Sequence, residues 1–334
     1  NSSECSILNG YYNNINDGYD CSIIGGDNNS ISGYYNVINN GRDNSLSGYY
    51  NTIINGFENN INDGYYNSII GGQDNIINDG YCVVSNGNNN IISGNYILNS
   101  GYNNTINANN ILNIGSANNI LNDNSNLFGN NNTTNSIFNT IFGNNNIINS
   151  NSDYGFIAGL NNNLNGLNSA IIGSNNSISS DFSIAIGCGA SSRVTSQYSH
   201  SARLANNIGD EQFSRIIIDG YQVSGGQFNL TIPGTNDNLS CENGKSYDMH
   251  IRILIINYSG APQCARFTYN ILAHQEGGIL ILDMINDDLL DDNGTDWSTT
   301  ISSVNSELIV QVDSYGTDNR RAVATIEWRE LSRL

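Results

Sequence analysis

Five stretches decide the reading of this chain: Asn29-Ser30-Ile31-Ser32-Gly33, Asn44-Ser45-Leu46-Ser47-Gly48, Asn59-Asn60-Ile61-Asn62, Asn75-Ile76-Ile77-Asn78 and Asn90-Ile91-Ile92-Ser93-Gly94. Their leading asparagines step by 15, 15, 16 and 15 residues. A second track keeps the same steps: Cys21-Ser22-Ile23-Ile24-Gly25, Asn36-Val37-Ile38-Asn39, Asn51-Thr52-Ile53-Ile54, Asn67-Ser68-Ile69-Ile70-Gly71 and Cys82-Val83-Val84. From Gly101 the period tightens to 14 through Gly115, Gly129 and Gly143, and resumes at Gly159, Gly173 and Gly187 after two extra residues. A unit this short, holding two β-branched runs, has no room for a helix pair. It fits two short strands and two turns. Stacked at about 4.8 Å per coil, roughly thirteen coils would make a rod of about 60 Å.

The composition agrees with this register. Of 65 Asn, 53 lie in residues 1–190, where Arg42 is the one basic residue. Asn and Gly are poor helix formers but tolerate the left-handed backbone of tight corners. Stacked Asn amides can bond from coil to coil, which makes Asn29, Asn44, Asn59, Asn75 and Asn90 one structural ladder and Asn36, Asn51 and Asn67 another. The expected fold is therefore all-β, a parallel β-roll or solenoid over 1–190. A coil this thin leaves apolar surface that neighbouring copies would cover, which gives homo-oligomerisation a physical motive. The net charge of −19 excludes a basic nucleic-acid surface, and no apolar run is long enough for a membrane-spanning helix, so neither nucleic acid nor membrane insertion is expected. The chain begins mid-repeat, and further upstream sequence is expected.

The pattern changes after Ala190. Residues 191–205 are polar and read as a neck. Residues 206–334 carry alternating apolar runs at 213–219, 227–232, 247–256, 265–273, 278–285, 307–313 and 321–328, the signature of a β-sandwich, jelly-roll-like.

Two resemblances accompany these patterns. The stretch Asn168-Ser169-Ala170-Ile171-Ile172-Gly173 through Ser183-Ile184-Ala185-Ile186-Gly187 resembles the head repeat of YadA-type trimeric adhesins. That resemblance implies a left-handed β-roll of 14-residue units with three chains side by side. Gln197-Tyr198-Ser199-His200-Ser201-Ala202-Arg203, Gly209-Asp210-Glu211-Gln212, Asp296-Trp297, the run from Ser306 to Val312 and the run from Ala322 to Trp328 are similar in order to a terminal domain of phage tail fibres. Together they imply a homotrimeric attachment protein, extracellular or on a virion surface, that binds a host-cell glycan or surface protein. A purely structural fibre and a viral tail polysaccharide depolymerase are the alternatives.

Tyr19, Tyr34, Tyr49, Tyr65 and Tyr81 each follow a track glycine and are expected to form one aromatic ladder, either a stack that stabilises the roll or a platform for sugar rings. No catalytic motif and no metal-ligand spacing appears, so neither catalytic residues, metal nor cofactor is expected. The acidic group Asp283, Asp287, Asp288, Asp291 and Asp292 reads as a solvated loop. Six cysteines leave two readings open: free thiols, or disulfides Cys5–Cys21, one coil apart, and Cys241–Cys264 in the tip.

Overall fold

A computed structural model describes residues 3–202, 211–222, 226–232, 235, 237–257, 264–292, 297–314 and 320–332, with the backbone alone for 211, 222, 226, 257, 284, 286–292, 314, 331 and 332. The described residues are all-β. The repeats form a parallel β-solenoid of about 13 turns, with coils about 15 residues apart. The chain divides into two compact units, Asn1–Leu164 and Asn165–Leu334, so the boundary falls inside the repeat and not at its end.

In the first unit each coil contributes one strand to each of two parallel sheets. Ser30–Tyr34, Ser45–Tyr49 and Asn60–Tyr65 stack in one. Ser22–Ile24, Val37–Arg42 and Thr52–Phe57 stack in the other. Side chains alternate in and out. Ile31, Leu46, Ile61 and Ile77 point inward from the first sheet and Ile23, Ile38, Ile53 and Ile69 from the second, all buried. The interior is thus two aliphatic columns flanked by two polar ones. One polar exception interrupts the second aliphatic column: Asn99 and Asn113 stand where Val84 and Leu127 stand above and below. Asn113 Nδ2 donates to Asn99 Oδ1 at 2.7 Å, and Asn99 Nδ2 has no partner.

Each coil turns two corners through left-handed residues. One corner is polar or acidic, as at Asn28 (φ 55°), Asp43 (57°), Glu58 (54°) and Asp74 (54°). The other is aromatic over several coils, as at Tyr35 and Tyr50 (both 58°). Just inside the polar corner the backbones of successive coils approach too closely for a side chain. A Cβ on Gly115 would lie 1.8 Å from the Gly129 carbonyl oxygen.

The second unit opens with further coils. Their inward residues shrink from Ile171 to Ala185 to Ser199, and from Ile178 to Ser192. Over its described residues, 191–202, the expected neck at 191–205 is corrected: Ser191–Ser192 and Tyr198–Ser201 pair as one more coil, because their serines face inward where earlier coils place aliphatics, and 203–205 lie outside the described residues. Tyr198–Ser201 then pairs antiparallel with Glu211–Gln222, which ends the parallel stack. The other sheet ends on a side chain. Gln212 accepts from Ser191 N at 2.7 Å and donates to Ser191 O at 3.0 Å, the bonds of a further strand supplied by one amide.

Beyond the last coil, Glu211–Gln222, Arg320–Ser332, Lys245–Asn257, Cys264–Glu276 and Ile279–Asp292 form a large antiparallel sheet in that spatial order. Glu307–Ser314 is the centre of a smaller one, flanked by Trp297–Val304 on one edge and by Gly226–Leu230 and Leu239–Ser240 on the other. Ile251, Ile253, Ala324 and Ile326 of the large sheet and Leu230, Leu308 and Val310 of the small one belong to one core, as a sandwich requires. The connectivity differs from a jelly roll. Lys245–Asn257, Cys264–Glu276 and Ile279–Asp292 follow one another as neighbours in one sheet.

Candidate functional site

The asparagine tracks become continuous buried ladders. Asn44 N and Nδ2 both donate to Asn29 Oδ1, at 3.2 and 2.9 Å, and Nδ2 also donates to Gly56 O at 2.9 Å. Asn59, Asn75 and Asn90 repeat this pattern. On the second track Asn51 N donates to Asn36 Oδ1 and Asn67 N to Asn51 Oδ1, both at 2.9 Å. These side chains are interior, so they hold the coils together and offer nothing to a ligand.

The cysteines of this track do the same work as thiols. Cys82 N donates to Asn67 Oδ1 at 2.8 Å, and Cys82 Sγ donates to Gly94 O at 3.1 Å. Of the two expected disulfides, Cys241–Cys264 is excluded by distance. Cys5 and Cys21 lie side by side as thiols, with Cys21 N donating to Cys5 Sγ at 3.4 Å and Cys21 Sγ donating to Gly33 O at 3.3 Å. Cys264 pairs across the sheet with Ile256, whereas Cys241 lines a cavity with Tyr247, nine residues back along the same strand. That is about 30 Å of strand, far beyond disulfide reach. Burial pushes the thiols of Cys82 and Cys241 up to about 12. Ellman's reagent at pH 8 is therefore expected to label half-buried Cys264 in the folded protein, and Cys82 and Cys241 only in denaturant. Because both pKa values rise on folding, their contribution to stability is complete below the ordinary thiol value of 9.0 and is lost as pH climbs toward about 12. Labelling of Cys82 at the rate of Cys264 would contradict this placement.

The tyrosines form two columns, not one. Tyr34 stacks on Tyr49 at 5.0 Å and Tyr49 on Tyr65 at 5.1 Å, with Tyr19 tilted at the end. Beside them run Tyr35, Tyr50, Tyr66, Tyr81 and Tyr96, at 4.7, 4.9, 5.3 and 4.9 Å. Tyr81 thus belongs to the second column. The turn after Ile77 is one residue shorter than the turn after Ile61, so Gly80 sits over Tyr65 and Tyr81 over Tyr66. The doublets Tyr34-Tyr35, Tyr49-Tyr50 and Tyr65-Tyr66 are the signal for the second column. Its rings sit on left-handed residues, a backbone that costs an L-residue about 1 kcal/mol, and stacking at about 0.5–1.5 kcal/mol per pair offsets it. A sugar ring between two tyrosines would need about 7–8 Å, twice the usual contact distance. The faces are already closed on one another, which leaves no room for a sugar ring within a column.

The outer faces of the two sheets differ. The first presents Ser30, Ser45, Asn60, Thr105 and Asn119, interrupted by Ile76, Ile91 and Ile147, the last two 47% and 42% exposed. The second presents Leu98, Ile114 and Phe142, each 44–47% exposed, with Phe128 stacked on Phe142 at 4.9 Å. In the second unit Ile172 and Ile184 are exposed on the same sheet.

A cavity of about 210 Å³ lies under the last coil, lined by Arg193, Gln197, Cys241, Glu242, Tyr247 and Glu330 among others. Arg193 Nη2 donates to both carboxylate oxygens of buried Glu330, at 2.8 and 2.6 Å, and Arg193 also pairs with Glu242. Lys245 Nζ lies 3.5 Å from Glu330. Burial works against the Arg193 charge, and Glu330 and Glu242 more than compensate, so its pKa moves up. Both carboxylates are engaged by one guanidinium, an arrangement that locks the last coil to the C-terminal strand. Of the acidic group singled out in the sequence, Asp283 is placed on the outer face of the large sheet, and the side chains of Asp287, Asp288, Asp291 and Asp292 lie outside the described residues.

No protein-family model and no curated protein sequence matches the chain. Among solved structures it is similar to the Acinetobacter phage vB_ApiP_P1 tailspike protein, at 8% identity and a TM-score of 0.26, over 96% of this chain and 76% of that one. The Acinetobacter baumannii phage AM24 tailspike matches at 10% and 0.25, over 94% and 68%. The tailspike protein gp49 of Acinetobacter baumannii bacteriophage Fri1, a capsular polysaccharide depolymerase, matches at 8% and 0.24, over 94% and 62%. The likeness is distant. The Fri1 neighbour is an enzyme, a finding that runs against the expectation of a chain without catalysis but assigns no activity to this one.

Proposed function

We propose that the chain is an attachment protein of a virion surface, assembled side by side as a homotrimer and engaging a host-surface glycan. The observation that supports self-assembly is the run Ile114, Phe128 and Phe142 in successive coils of the second outer face, beside Leu98, against a first face on which isoleucines are scattered among Ser, Thr and Asn. An apolar strip of this kind marks an interaction surface, and a ladder of constant spacing is matched best by a copy of itself. Sedimentation equilibrium of the full chain is expected to give three times its 36.2 kDa mass. Phe142→Asp is expected to shift the population toward monomer, because it buries a charge in each seam. A monomeric wild-type protein would overturn the assembly.

The glycan half of the reading is tested on capsular polysaccharide, the polymer that the Fri1 neighbour depolymerises. Retention of the trimer on immobilised capsule supports it, and absence of binding across a capsule panel counts against it. The second reading is cleavage of that polysaccharide, seen as falling viscosity and released oligosaccharide.

A further inference from the structure

We infer that the outer face of the large antiparallel sheet carries an ester-hydrolysing site built on Ser246, His274 and Asp283. The three residues come from neighbouring strands, Lys245–Asn257, Cys264–Glu276 and Ile279–Asp292. Ser246 is the direct cross-strand partner of His274, with about 5 Å between Cα atoms. Ser246 lies between buried Lys245 and Tyr247, and His274 between buried Ala273 and Gln275, so both side chains leave the same face of the sheet. Asp283 reaches them through an irregularity. Leu272 faces Met284 while Ala273 faces Leu282, which makes Asp283 the extra residue of a β-bulge. Bulges re-aim side chains and recur beside active sites. Here the bulge brings Asp283 Oδ2 to 2.7 Å from His274 Nδ1.

This is the hydroxyl, imidazole and carboxylate set of nucleophilic acyl transfer, which is recognised by geometry and not by position in the sequence. With Nδ1 committed to Asp283, Nε2 is the ring nitrogen left to take the Ser246 proton. All three line one surface pocket of about 380 Å³, together with Asp248, Leu272 and Arg329. That volume is at the small end of ligand sites and suits a short acyl group on a sugar or similar alcohol. Ser246 Oγ attacks the ester carbonyl carbon as its proton passes to His274 Nε2. The tetrahedral adduct collapses, the bond to the alcohol oxygen breaks, and the alcohol leaves with that proton. Water then attacks the acyl-serine, giving one proton to Nε2. The free acid departs and the proton returns to Ser246. Arg329 supplies a cation on the pocket wall for the oxyanion.

The site stands apart from the attachment reading, and its test needs no glycan. The full chain is assayed with p-nitrophenyl acetate and labelled with a fluorophosphonate. Ser246→Ala and His274→Ala are each expected to lower turnover by about 100-fold or more, with unchanged circular dichroism and melting temperature. His250→Ala is the control. His250 is on the same strand face, paired at 2.8 Å with the amide oxygen of Asn270 and not with a carboxylate, and its loss is expected to leave turnover unchanged. Trypsin cuts after Lys245 and Arg252, so the label is expected on the peptide 246–252 and is expected to vanish in Ser246→Ala. Wild-type turnover no faster than that of Ser246→Ala, or no label on Ser246, would overturn the inference.

Discussion

Asn59→Ala is expected to destabilise the solenoid by about 2–4 kcal/mol, measured by urea unfolding, while Asn60→Ala next to it changes stability by less than about 0.5 kcal/mol. The difference is one of direction. The Asn59 side chain is buried, and its Oδ1 accepts from Asn75 N at 3.0 Å and from Asn75 Nδ2 at 2.9 Å. Its Nδ2 donates to Gly72 O at 3.1 Å. Alanine leaves the Asn75 backbone N–H without an acceptor in an interior that holds no compensating group. Each unsatisfied buried donor costs about 1–3 kcal/mol, and the emptied volume adds to that. Asn60 faces outward from the first sheet and has solvent to fall back on. Equal effects of the two substitutions would sink the ladder as a source of stability.

A larger effect is expected for Gly115→Ala, which should abolish the native stack around it and appear as loss of soluble protein or a collapse of the melting transition. The residue sits at φ +146°, and an added Cβ would meet the Gly129 carbonyl oxygen at 1.8 Å and its carbon at 2.6 Å. That carbonyl cannot yield, because Gly129 N donates to Ile114 O at 2.9 Å and fixes the corner from below. The coils must part for the methyl to fit, and a cost above about 4 kcal/mol is the expected range for a clash of this kind. Gly244→Ala is the comparison. Gly244 has φ +76° and open space around its Cβ direction, so only the backbone penalty of about 1 kcal/mol applies. A Gly115→Ala protein that melts like Gly244→Ala would show that the corner is looser than described.

The solenoid was legible because its residues repeat in register. The steps from Asn29 to Asn90 reappear as stacked partners, since a parallel ladder places like residue over like. Legibility failed wherever a single residue changed the count or the partner lay far along the chain. Tyr81 follows a glycine like its predecessors, yet one residue lost in the preceding turn moves it to the neighbouring column. The serines of 191–201 have the composition of a linker, and only their inward direction shows them to be a coil. Trp297–Val304, rich in Ser and Thr, gives too little apolar alternation to be read as a strand. Ser246, His274 and Asp283 carry no motif at all; hairpin pairing and one bulge bring them together.

The Asn99–Asn113 pair has a consequence for how the chain finds its fold. Coils so alike can dock one period out of step at little cost, since an isoleucine then meets another isoleucine and an asparagine another asparagine. A shift by one coil at this place would part Asn113 Nδ2 from its acceptor, Asn99 Oδ1, and bury both polar atoms without that bond. The pair therefore acts as an index mark in a nearly uniform scale. Its unpartnered Asn99 Nδ2 is the stability given up so that each coil has a single address.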